Sequence, residues 1–122
     1  MPILMVMDEI KQLYYNTFGV SFYWVKEGKP LSRRIQVVFK DTGLYLTAEQ
    51  VVEFADIIKN CGGGNCASCS MSKCCRKFLL KTPVPEIDLA VDYNEFIQIK
   101  DLIDGTLFKI DLYNYINRDC LN

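Results

Sequence analysis

There is no histidine anywhere in this sequence. That absence excludes a His-dependent catalytic triad, a Cys–His nucleophile pair and any metal site with an imidazole ligand. Neither G-x-x-x-x-G-K-[ST] nor G-x-G-x-x-G occurs, so both common glycine-rich phosphate cradles are missing. The stretch CGGGNC has glycines but no lysine and no helix signature behind it. Long apolar runs are lacking as well. The opening MPILMVMDEIKQL reaches Asp8 and Glu9 quickly, has no basic lead-in, and is too short for a signal peptide or a membrane span. A cytoplasmic protein with no membrane partner is the expectation. The carboxylates are plentiful, but Asp88, Asp92, Glu95, Asp101, Asp104 and Asp111 read as caps and a solvated helix face. No carboxylate pair stands out as catalytic, and a non-enzymatic role is favoured.

What is present is ordinary globular composition, half apolar and a quarter charged. At 122 residues the chain is long enough for one core and too short for two, so a single domain over 1–122 is expected. The net charge of −1 hides an uneven distribution. Residues 57–85 carry Lys59, Lys73, Arg76, Lys77 and Lys81 with no acid, whereas 86–122 carry eight acids against three bases. The basic island is either a solvated stretch or a source of positive charge beside thiols, whose pKa it would lower. It has no interleaved aromatics, which argues against nucleic acid as its partner.

Two segments resemble each other. VVFKDTGLYLTAEQVVEFADIIKN (37–60) and FLLKTPVPEIDLAVDYNEFIQIKDLIDG (78–105) each read as strand, turn, short alternating strand and helix. Thr47 with Gln50, and Asp92 with Glu95, have the spacing of a capping box. Val51, Phe54 and Ile58 match Phe96, Ile99 and Ile103 on one helical face. Asn60 and Gly105 stand where helices end. A hairpin and one helix cannot bury their own apolar face well. The expected fold is therefore α+β, with two β-hairpin–helix repeats (about 35–60 and 78–105) forming one mostly antiparallel sheet under two helices. Residues 3–17 read as a helix with Ile3, Met7, Ile10 and Tyr14 on one side. VSFYWV reads as a strand and KEGKP as a turn. A C-terminal helix over 106–118 would turn Phe108, Leu112 and Tyr115 or Ile116 inward, unless the preceding helix runs straight through Gly105. Trp24 and the tyrosines read as core and rim.

The chemistry concentrates in 61–77, the expected connecting loop between the repeats. Cys61, Cys66, Cys69, Cys74 and Cys75 follow the pattern C-x4-C-x2-C-x4-C-C, which holds five of the six cysteines. Dense cysteine in a reducing compartment points to metal or thiol chemistry before structural disulfides. Four thiolates suit tetrahedral zinc, and small intervening residues let backbone approach a metal closely. Cys74 and Cys75 are adjacent, and only one of them is needed as a fourth ligand. Two other readings stay open. Cys66-x-x-Cys69 and the vicinal Cys74–Cys75 offer thiol–disulfide redox chemistry, and all five cysteines could simply be reduced.

CGGGNCASC resembles the C-x4-C-x2-C loop of plant-type ferredoxins. The resemblance implies a 2Fe–2S cluster held by Cys61, Cys66 and Cys69, with Cys74, Cys75 or the distant Cys120 as the fourth ligand. More broadly, IQVVFKDTGLYLTAEQVVEFADIIK followed by CRKFLLKTPVPEIDLAVDYNEFIQIKDLID resembles a family of small uncharacterised proteins from Bacteroidetes. That resemblance implies the strand-pair and helix architecture and no activity. The chain departs from it in having no cysteine before Cys61, where YWVKEGKPLSRR stands. The functional expectation is a zinc-favoured metal-binding module that orders a surface for a protein partner, with an iron–sulfur or reactive-thiol protein as the alternative.

Overall fold

A computed structural model describes residues 9–73 and 77–121, with side chains over 9–61 and 77–116. Five strands come first: β1 (Glu9–Tyr15), β2 (Gly19–Lys26), β3 (Lys29–Pro30), β4 (Arg34–Phe39) and β5 (Thr42–Thr47). Helix α1 (Ala48–Lys73), a hairpin of β6 (Phe78–Lys81) and β7 (Asp88–Val91), and helix α2 (Tyr93–Leu121) complete the chain. The α+β class is as expected. The five-stranded sheet runs β1-β2-β4-β5 with β3 on β2, and every pairing is antiparallel.

Alternation along these strands separates two faces. Tyr23, Ile35, Val37, Phe39, Leu44 and Leu46 point toward the helices and are buried in the core. Val51, Phe54 and Ile58 of α1 and Phe96, Ile99 and Ile103 of α2 meet them, as their spacing requires. The residues between, such as Phe22, Trp24, Gln36 and Tyr45, face away. Register confirms the separation, since Phe22 is opposite Gln36 and Gln36 opposite Tyr45.

The expected helix over 3–17 gives way to strand β1 from Glu9 onward. Ile10 and Tyr14 have helical spacing by coincidence. The segment instead satisfies its backbone along β2, and a register shift between Gln12 and Tyr14 turns Leu13 into the core. The bulge, one extra residue, explains why neither period fits the segment cleanly.

Both hairpins are present, but the second does not join the first. β6 and β7 form a separate two-stranded sheet. With β4 paired on both sides, by β2 and β5, a second hairpin could join only along β5, and neither β6 nor β7 pairs with it. Leu80, Leu89 and Val91 still reach the common core. The 82–87 connection closes on itself through Thr82 Oγ1, which donates to Val84 O or Ile87 O and accepts from Val84 N–H.

The helices are longer than their cap signals suggested. α1 passes Asn60 and continues to Lys73, so most of the expected cysteine loop is helical backbone. Three glycines cost about 1 kcal/mol each against alanine, but extending an existing helix needs no new nucleus. α2 runs through Gly105 as one helix of 29 residues. A Cβ at 105 would lie 2.5 Å from the Tyr14 ring, so glycine is what lets β1 approach. Because the helix does not break, its phase carries on from Ile99 and Ile103. Thr106, Ile110 and Tyr113 turn inward, and Phe108, Leu112, Tyr115 and Ile116 are exposed, contrary to the expected inward set.

Candidate functional site

Cys61 sits on α1, half-buried, and packs against the core cluster. It is the one cysteine of the five whose side chain falls within the described residues. Positions 66 and 69 lie on the helical backbone of α1, and Cys74 and Cys75 lie outside the described residues. Helical rise is 1.5 Å per residue, which separates positions 61 and 69 by roughly 12 Å along the axis. Positions 66 and 69 are within one turn of each other. Among the described residues no group of three Cys, Asp or Glu side chains is close enough to hold a metal ion.

Two lysines of the basic island have structural partners. Lys77 Nζ donates to Glu95 Oε1 at 3.0 Å, and Lys81 lies 3.5 Å from Asp88. Glu95 also pairs with Lys40 through its other oxygen. Its Oε1 accepts from the Asp92 amide at 2.9 Å, while Asp92 Oδ1 accepts from the Glu95 amide at 2.8 Å. That reciprocal pair is the capping box expected at this helix start. Two ammonium groups and a backbone donor hold the Glu95 carboxyl well down, at about 2 against an ordinary 4.5, with Lys40 the largest cause. Lys40 itself has a left-handed backbone (φ 51°) in the β4–β5 turn. Its ion pair therefore ties that turn to the start of α2.

A cleft of about 290 Å³ opens beside this network. The β4–β5 turn (Phe39 to Thr42) forms one wall and β7 (Asp88 to Val91) the other, over Phe18 and Ile99. Phe18 stacks on Phe39 at 5.6 Å. The charged groups at the rim largely neutralise one another, Lys40 with Glu95 and Lys81 with Asp88.

A second cluster joins β1, the β1–β2 turn and α2. Tyr14 Oη donates to Asp101, 3.0 Å from Oδ2, and this bond pushes the tyrosine pKa up. Asn16 Nδ2 donates to Gln98 O at 3.1 Å and to Asp101 Oδ2 at 2.9 Å, while Asn16 Oδ1 accepts from the amides of Phe18 and Gly19. Asn16 thus shapes the β1–β2 turn and anchors it to the helix. Below it, Ser21 Oγ and Thr106 Oγ1 share a buried hydrogen bond of 2.6 Å. These contacts position elements rather than a ligand.

The sequence reading missed two groups. The Lys40–Glu95–Lys77 network joins residues up to 55 positions apart, and only the Asp92/Glu95 cap spacing hinted at it. The outward sheet face was legible in principle, because GVSFYWVK, RIQVVF and TGLYLT each alternate. Compared with protein-family models, curated proteins and solved structures, the chain matches none.

Proposed function

We propose that this protein is a small, non-enzymatic binding module of a reducing, cytoplasmic compartment, whose cysteine segment holds a structural metal, zinc in the first place. One observation carries the reading: five cysteines within fifteen positions at C-x4-C-x2-C-x4-C-C, in a chain without histidine. Thiolate-only sites suit zinc. The helical course of α1 to Lys73 supports Cys66 and Cys69 as a pair on one ion, with Cys74 or Cys75 as a further ligand. Cys61, packed against the core, anchors the segment in this arrangement. A metal at this end of α1 would fix a surface for a protein partner.

The test is elemental analysis of native protein purified without chelator, with thiol titration in parallel. About one zinc per chain, and thiols that become reactive on chelation, is the expected result. Substoichiometric metal with all six thiols reactive overturns the proposal. The second reading uses the same cysteines for redox chemistry. Iron and inorganic sulfide with visible absorbance would select the cluster form. A metal-free protein gaining disulfide mass on mild oxidation would select the thiol form.

A further inference from the structure

The outward face of the five-stranded sheet carries an aromatic row with no place in the core. Phe22 is buried (7 % exposed) yet lies outside the core cluster. Its ring meets Trp24 edge-on at 5.0 Å and 87°. Trp24 Nε1 donates to Gln36 Oε1 at 3.1 Å, which fixes the indole across two strands. Tyr45, directly opposite Gln36 on β5, is 44 % exposed. The result is a pre-arranged aromatic surface on rigid strands, with both helices on the other side of the sheet.

Register adds cations at one end of this surface. Lys26 lies on the same face as Trp24, two positions along β2, and Lys29 is directly opposite Lys26. Like charges facing each other across strands are destabilising. Arg34 shares the face through β4, with its guanidinium 5.7 Å from the Tyr45 ring and Nη1 donating to Tyr45 O at 3.0 Å. Among the described strand positions on this face none holds a carboxylate, and Glu27 lies in the turn between the two lysines. In a chain of net charge −1, a lysine pair facing across strands beside aromatics is a cost to folding that an anionic, stackable ligand would repay.

We infer that this sheet face binds single-stranded nucleic acid, with bases stacking at Trp24 and Tyr45 and phosphates held by Lys26, Lys29 and Arg34. Base–aromatic stacking tolerates any sequence, and cations beside the aromatics track the backbone. The aromatics favour this occupant over an acidic peptide, which would use the lysines and leave the rings idle. The site is separate from the cysteine segment and does not require its metal.

The test is fluorescence anisotropy of labelled oligouridylate and oligothymidylate, each about 12 nucleotides long, with duplex of the same length and polyglutamate as competitors. Both metal-loaded and chelated protein are used. Expected is binding of the single strands, competed by neither duplex nor polyglutamate, with a log–log salt slope near −2 for three phosphate contacts. Tyr45→Ala should weaken binding about tenfold. Lys29→Glu should weaken it similarly and flatten the salt slope, while thermal stability holds or rises, because an opposite-charge pair replaces the lysine pair. Neither variant removes Trp24, whose indole bridges β2 and β4. Absence of binding at low salt, equal competition by duplex or polyglutamate, or wild-type affinity in both variants would overturn the inference.

Discussion

Glu95 joins two lysines and the Asp92 amide, and its titration has a defined sign. Its folded pKa, about 2, lies below the ordinary 4.5. The stability it contributes is therefore fully present above pH 4.5 and is lost as pH falls toward 2. Denaturant unfolding at intervals across that window should show wild-type stability declining more steeply than that of Glu95→Gln, which keeps an acceptor for the cap but cannot ionise. Parallel profiles for the two proteins would show that the ion pairs contribute nothing. Gly105 is the other residue-scale constraint. Alanine there gains about 1 kcal/mol of helix propensity but places a methyl 2.5 Å from the Tyr14 ring. Gly105→Ala is expected to destabilise by about 1–3 kcal/mol, as overpacking does. In a Tyr14→Ala background the same change should become stabilising. A double-mutant cycle measured by chemical denaturation reads the difference directly.

At the scale of elements, the helix starts were written locally and the helix ends were not. Thr47 Oγ1 accepts from the Gln50 amide at 3.1 Å, and Gln50 Oε1 accepts from the Thr47 amide at 2.9 Å. The same reciprocal pair recurs at Asp92 and Glu95. Both were legible because a capping box needs only residues three apart. Thr47→Ala should cost about 1 kcal/mol, visible as a lower urea midpoint with an unchanged slope. The ends escaped because Asn60 and Gly105 have C-cap chemistry, yet past Asn60 an existing helix simply extends, and core contacts flank Gly105 on both sides. In β1, likewise, the i, i+4 spacing of Ile10 and Tyr14 suggested a helix, whereas pairing with β2 decided for a strand. The cysteine pattern itself was fully legible. Its placement on a helical extension of α1 was not, since the glycines signal a loop and only the growing helix overrides them.

Over the whole molecule, the elements are tied by a few polar contacts within an apolar core. The Ser21–Thr106 bond joins β2 to α2 across 85 residues, and Thr106 Oγ1 also donates to Leu102 O at 2.6 Å. Thr106→Val leaves Ser21 short of a partner in a buried site. A loss of about 1–3 kcal/mol is expected, with much of it recovered in Ser21→Ala/Thr106→Val, where no polar group is stranded. Among the described residues no helix is long and apolar enough to cross a membrane. The exposed Phe108, Leu112, Tyr115 and Ile116 therefore do not read as part of a span.

The sequence alone determined the α+β class, both hairpins, both helix starts, the inward faces of α1 and the first half of α2, and the cysteine constellation. All of these depend on residues within a turn or two of each other, or on a period of 2 or 3.6. Tertiary structure decided which strands share a sheet, where the helices stop, and that β1 is a strand. It also decided which face of the sheet packs against the helices. Those outcomes depend on pairing between separate segments, such as β2 with β4, and on backbone approach, such as Tyr14 against Gly105. Neither is encoded in any one segment.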